Sequence, residues 1–295
     1  MALHTIHLFA GAGGGILADL LIGHTPICAV EIEEYPRAVL LQRQLDGCLP
    51  RFPIWDDVTT FRADNPDTAG FFDRVRHIAN DLCICGGFPC QDISSAGKGA
   101  GISGERSGLW AEYARIIREI RPRYAFIENS PLLTIRGLDT VLCDLAAMGY
   151  DAEWCVVGAD NTGFPHGRGR IWILANSKEK RESGEYDTSK PINGHREMHI
   201  EPSSQPSILS RAVAYTEEER DVRWNRIMGA TEKELHITGS ACNGSRKWWP
   251  SEPDVGRTID GVACRMDRLA AIGNGQCPQS AALAFTVLMD RISAQ

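Results

Sequence analysis

The sequence predicts an α/β fold: a doubly wound, mostly parallel sheet with helices on both faces. Three observations predict it. Through the first 175 residues, short apolar runs alternate with stretches of helical period. A glycine-rich turn, LFAGAGGG (Leu8–Gly15), falls where the first apolar run meets the first helical pattern. The chain is 43% apolar and 23% charged, the balance of an ordinary globular protein.

In order, His4–Phe9 reads as a strand and Gly14–Leu21 as a helix ending near Gly23. Ile27–Ile32 reads as a second strand, and Pro36–Leu45 as a helix. An apolar triplet before Asp56 and Asp57 marks a third strand end, and Asp81–Gly86 is a further strand. Leu109, Tyr113, Ile116, Ile117 and Ile120 share one helical face, so the spacing predicts a helix over Leu109–Ile120. Tyr124–Glu128 is a strand, and Leu138–Met148 a helix closed by Gly149. Glu153–Ala159 and Arg170–Ala175 are two strands close enough to form a hairpin at one edge of the sheet. From Asn176 to about Gly256 the chain is polar and aperiodic, with Trp248–Pro250 as a packing signal. Ser280–Ile292 then forms an amphipathic helix. The division expected is a catalytic unit of residues 1–175 plus 257–295 and an inserted unit of residues 176–256.

No apolar run is long enough to span a bilayer, and the N-terminus lacks the basic start of a signal peptide. A cytoplasmic protein is expected. Its ten cysteines are then reduced thiols. Cys83 and Cys85 read as buried strand residues, since the spacing with Cys90 fits no common zinc pattern and no metal is expected. The net charge of −7 argues mildly against a nucleic-acid partner without excluding a local basic surface.

Several residues nevertheless carry chemistry. The glycine turn allows close backbone approach to a ligand, although Ile16 breaks the G-x-G-x-x-G pattern. Glu31, at the end of the next strand, would reach a ribose diol, and Asp57 lies at a third strand end. A turn-capping role for Asp57 is a fair competitor. Cys90 sits in GGFPCQDISSAGKG, on a loop at the same edge, followed by glycines that suggest a segment able to close. Glu128 and Asn129 end a strand at that edge. GFPHGRGR offers Arg168 and Arg170 at alternate positions, on one side if extended. A thiolate, a carboxyl group and a guanidinium suit addition to a polarised ring.

These residues fall into ordered motifs. LFAGAGG, GFPCQDIS, ENS, PHGRGR and GNGQCPQ resemble, in sequence order, the motifs of bacterial and phage DNA cytosine-5 methyltransferases. The resemblance implies a Rossmann-like, S-adenosylmethionine-dependent methyltransferase sheet with a small inserted target-recognition domain. It implies that Cys90 attacks C6 of a flipped cytosine and that Glu128 protonates or hydrogen-bonds N3. Asn129 would help hold the nucleophile loop, while Arg168 and Arg170 would support that loop and the cytosine O2. Phe9, Gly11, Gly13 and Gly14 would hold the cofactor, Glu31 and Ile32 its ribose, and Asp57 and Val58 its adenine. Pro89, Leu109 and Asn274 would complete that site. Gln91 and Ser94 would contact DNA, joined by Arg246 and Lys247 of the recognition domain. His7, Ser130 and His166 depart from the family pattern, and His166 puts DNA geometry most in doubt.

The partner implied is double-stranded DNA, read by a monomer, with a cognate restriction endonuclease as a further partner. Residues 177–256 hold 12 Lys and Arg against 14 Asp and Glu, so a DNA face there would use a subset of the cations. Two other readings stay open: methylation of tRNA by the same residues, and a catalytically silent DNA-binding protein.

Overall fold

The structure, a computed structural model, describes residues 2–89, 108–164, 167–177 and 265–294. Among these, seven strands form one sheet: β1 (His4–Leu8), β2 (Thr25–Val30), β3 (Ile54–Trp55), β4 (Leu82–Gly87), β5 (Tyr124–Asn129), β6 (Tyr150–Val157) and β7 (Arg170–Ser177). Their spatial order is β3-β2-β1-β4-β5-β7-β6. The first five are mutually parallel, while β7 runs antiparallel to both β5 and β6. The helices are α1 (Gly14–Ile22), α2 (Glu34–Leu45), α3 (Pro66–His77), α4 (Leu109–Ile120), α5 (Leu133–Arg136), α6 (Leu138–Ala147), α7 (Arg265–Asn274) and α8 (Pro278–Ser293).

Strand parity divides the core. Ile6, Leu8, Ile84, Ala125, Ile127, Ile171 and Ile173 pack with residues of α3, α4 and α6 on one face. Cys83, Cys85, Tyr124, Phe126, Trp172 and Leu174 pack with α1 and α8 on the other. The α4 helix has the bounds its periodicity predicts, and Tyr113, Ile116, Ile117 and Ile120 on it are fully buried. Each such side chain contributes about 1.5–3 kcal/mol by leaving water. The Tyr113 hydroxyl lies 3.0 Å from the Ile84 carbonyl and 3.1 Å from that of Phe126, so α4 is pinned across β4 and β5.

One expectation needs correction. The predicted Ile27–Ile32 strand is Thr25–Val30, because Arg37 Nη1 captures the Glu31 and Ile32 carbonyls at 3.1 and 2.7 Å and turns the chain out of the sheet. The final two strands pair antiparallel at one edge of the sheet as expected, with β6 outermost and β7 between it and β5. The continuous apolar run in β7 suits an interior strand: Trp172 is buried there, stacked 5.3 Å from Phe126. The α3 helix was not anticipated, although its start is written in the sequence. Asn65 caps it by accepting from the Asp67 N–H at 3.1 Å, and Pro66 fills the first turn.

Going outward from β1, the sheet runs to β2 and β3 on one side and to β4 and β5 on the other. The carboxyl ends of β1 and β4 therefore flank the crevice where the winding reverses, the place where open α/β sheets bind ligands.

Candidate active site

The turn after β1 forms one wall of that crevice. Phe9 has φ 53, a left-handed backbone that non-glycine residues adopt at a cost of order 1 kcal/mol. Ala10 donates its N–H to Val30 O at 3.0 Å, folding the turn over the end of β2. Gly13, at φ 92, leads into α1. A side chain on Gly11 would meet nothing within 4 Å, so open space lies in front of the turn.

Glu31 borders that space and is 7% exposed. The Gly11 N–H donates to its Oε2 at 2.6 Å and the Glu33 N–H to its Oε1 at 2.8 Å. The carboxylate is thus fixed by two backbone donors, and each oxygen keeps a lone pair for a hydroxyl. Ile32 beside it is exposed. Asp57 Oδ1 accepts from both the N–H and the hydroxyl of Thr59 at 2.8 Å, which is the turn-capping competitor foreseen for it. Val58 is buried, and its carbonyl accepts from Arg115 Nη2 at 2.9 Å, so α4 fixes this third strand end. Open space before Gly11 beside an anchored carboxylate fits a nucleoside with a free diol. Leu109 and Pro89 are half-buried and Asn274 is exposed.

The opposite wall is β4 and β5. Their register places Gly87 beside Glu128. A Cβ on Gly87 would collide with Glu128 Oε2, so glycine leaves the room that carboxylate occupies. Arg170 Nε pairs with Glu128 Oε1 at 2.8 Å, and Gln276 Nε2 donates to Oε2 at 3.4 Å. Burial pushes the Glu128 carboxyl above its ordinary range, against the pull of Arg170, Gln276 and Arg168. Asn129 is buried, and its Nδ2 donates to Phe88 O at 3.2 Å, two residues before Cys90. Its Oδ1 accepts the Ser130 N–H at 2.7 Å.

The two arginines take different partners. Arg170 serves Glu128. Arg168 reaches the carbonyls of Ile272, Gly273 and Gly275 at 3.3, 2.5 and 2.7 Å, capping the C-terminal end of α7 where the helix dipole favours a cation. Burial lowers its pKa.

Cys90, Gln91, Ser94, His166, Arg246 and Lys247 lie outside the described residues, as does nearly all of the 176–256 segment. Other cysteines sort clearly. Cys83 and Cys85 are buried in β4, as expected. Burial pushes Cys28 and Cys155 up to about 12, and hydrogen bonding to Cys83 together with burial raises Cys85 well above its ordinary value. Such thiols are protonated and inert at neutral pH.

His7 is absorbed by the core. Its Nε2 lies 2.5 Å from Asp19 Oδ2, which also accepts from the Thr5 hydroxyl. Burial opposes ionisation of Asp19, but His7, His24 and Thr5 hold its pKa at about 2. Two site residues escaped the sequence reading, Gly87 and Gln276. Both stand inside quoted motifs, GGFPC and GNGQCPQ, yet only the meeting of β4, β5 and the α7–α8 turn gives them a task.

Comparisons with known proteins give the family. Residues 3–282 match the family model described as C-5 cytosine-specific DNA methylase. The chain belongs to that family. It is similar to the Type II methyltransferase M.CviJI of Paramecium bursaria Chlorella virus IL3A, at 33% identity over 61% of this chain and 44% of that protein. It is also similar to M2.BsuMI of Bacillus subtilis, at 27% identity over 76% of this chain and 54% of that protein. The chain thus spans about half the length of these curated relatives. A solved methyltransferase, S. pombe Dnmt2, aligns at 18% identity and TM-score 0.45, over 61% of this chain and 50% of that one.

Proposed function

We propose that this chain is a DNA cytosine-5 methyltransferase that uses S-adenosylmethionine and acts on a cytosine turned out of the duplex. Family membership supports the reaction class, and one observation supports the mechanism most. Glu128 is a largely buried carboxyl, raised by desolvation and held by Arg170, at the mouth of the β4 loop that leads to Cys90. A carboxyl raised in that way holds a proton more readily than an exposed one and can share it with a ring nitrogen.

The glycine turn and Glu31 would hold S-adenosylmethionine, which would supply an electrophilic methyl on a sulfonium. The chain's residues do the remainder. The Cys90 thiolate adds to C6 of cytosine while the Glu128 carboxyl holds a proton at N3, moving the electron pair of the C5–C6 bond onto C5. C5 would then take the methyl, leaving the neutral thioether S-adenosylhomocysteine; loss of the C5 proton to water would re-form the C5–C6 double bond and expel the Cys90 thiolate, with the N3 proton returning to Glu128. Asn129, through Phe88 O, holds the stem of the nucleophile loop. Arg170 keeps Glu128 aimed, and Arg168 holds the α7–α8 turn against the site.

Residues 176–256 would carry target recognition, with Arg246 and Lys247 on its DNA face and Gln91 and Ser94 on the catalytic side. A monomer acting in the cytoplasm, with a restriction endonuclease of matching specificity, completes the reading. No helix among the described residues is long and apolar enough to cross a membrane.

Bisulfite sequencing of DNA from cells expressing the chain, beside Cys90→Ala, tests the reading. Protected cytosines in one short context, absent from the control, are expected. Protection absent from DNA but present in tRNA would transfer the reaction to that substrate. Absence from both in well-expressed protein would make the chain a silent relative.

A further inference from the structure

Gln276 lies between α7 and α8 and meets both walls of the crevice at once. On one side its Nε2 donates to Glu128 Oε2 at 3.4 Å, and the same nitrogen would stand 3.4 Å from a Cβ on Gly87. On the other side its backbone carbonyl fills the space a Cβ on Gly14 would need, and its Oε1 would stand 2.5 Å from a Cβ on Gly15. Two successive glycines of the turn, Gly14 and Gly15, are therefore small where this one residue sits, while Gly87 leaves room for the Glu128 carboxylate it meets. Behind Gly15, His7 Nδ1 would come within 3.1 Å of the same Cβ, with His7 anchored on Asp19. The turn that carries Gln276 is in turn held by Arg168.

A glutamate side chain has three rotatable bonds, and a single ion pair leaves its carboxylate free to swivel. Here Arg170 holds Oε1 and Gln276 holds Oε2, so each oxygen has its own donor and the plane is fixed. The donor on Oε2 belongs to a residue whose backbone is packed on the first residue of α1.

We propose that Gln276 is a positioning residue that sets the Glu128 carboxylate relative to the glycine turn, so that the proton-handling group and the cofactor wall are placed together. This rests on reading Glu128 as the group that handles the N3 proton. The amide donor favours the ionised carboxylate, so its removal lets burial act with less opposition.

The test follows the side-chain carboxyl 13C resonance that Glu128→Gln removes, titrated in the full chain. In Gln276→Leu its midpoint moves up by about half to one pH unit. In Gln276→Glu, the same shape with a like charge facing Oε2, it moves up further. Saturating methyl transfer falls about tenfold or more in both, with S-adenosylmethionine affinity within about threefold. An unmoved midpoint in both variants overturns the proposal, as does a moved midpoint with undiminished transfer. A wild-type chain that methylates no DNA would overturn the functional reading instead, while the titration would still decide the placement of Glu128 by Gln276.

Discussion

Glu31 and Glu128 are the same residue at the same edge of the same sheet, on opposite sides of the crevice. Glu31 receives two neutral backbone N–H groups and faces open space. Glu128 is buried against a guanidinium and an amide, and desolvation raises it. Backbone donors hold a carboxylate in place as a fixed acceptor, which suits a hydroxyl pair. Burial beside a side-chain cation leaves the proton in contention, which suits acid–base work. Environment assigns the two roles.

The sharpest way to break this contrast is Glu128→Gln. Single-turnover methyl transfer should fall by about 10²–10⁴-fold, while cofactor affinity by calorimetry stays within about threefold. An equal loss of cofactor affinity would erase the distinction between the two glutamates. Next in size is Gly14→Ala, whose methyl collides with the Gln276 backbone. Urea unfolding should show a loss of about 1–3 kcal/mol, since a backbone shift is needed to admit it. Retained stability would mean the α7–α8 turn is not seated on α1.

Glu31→Gln should weaken cofactor binding about tenfold yet leave transfer at saturating cofactor near wild type. The smallest effect concerns pH. Because the folded protein raises the Glu128 pKa above its ordinary 4.5, the fold disfavours the charged form. Glu128 therefore contributes stability that is fully present below its unfolded pKa and is lost as pH rises through the higher folded one. Glu128→Gln should gain thermal stability relative to wild type as pH rises from below 4.5 through the raised folded value, with Arg170, 30% exposed, staying hydrated when its partner is lost. A melting difference that is flat across that range, or that runs the other way, would mean Arg170 outweighs burial.

Much of the fold was legible. The α4 helix could be bounded from its apolar spacing alone, because one helix face buried against a sheet repeats every 3.6 residues. The α3 helix was legible too, in Asn65–Pro66, but its weaker apolar face hid it. The position of β7 was half legible: a run buried on both sides belongs inside a sheet, while the half-exposed pattern of β6 belongs at the edge. For the site, Asn129 meets Phe88 at the stem of the nucleophile loop, Glu31 meets the backbone of the glycine turn, and Arg170 meets Glu128. Arg168 was read as Arg170's companion because alternate residues share a side, but alternation fixes direction and not partner.

The sequence by itself determined the α/β class, the crevice at the strand ends and the family, because periodicity, glycine turns and ordered motifs are local properties of the chain. Only the tertiary structure decided what each charged group meets. Asp57 caps its own turn, His7 pairs with Asp19 inside the core, and Gln276 joins Glu128 to Gly14 across more than a hundred residues. Hydrogen bonds and desolvation act through space over a few ångströms, and sequence distance carries no record of which groups the packing brings that close.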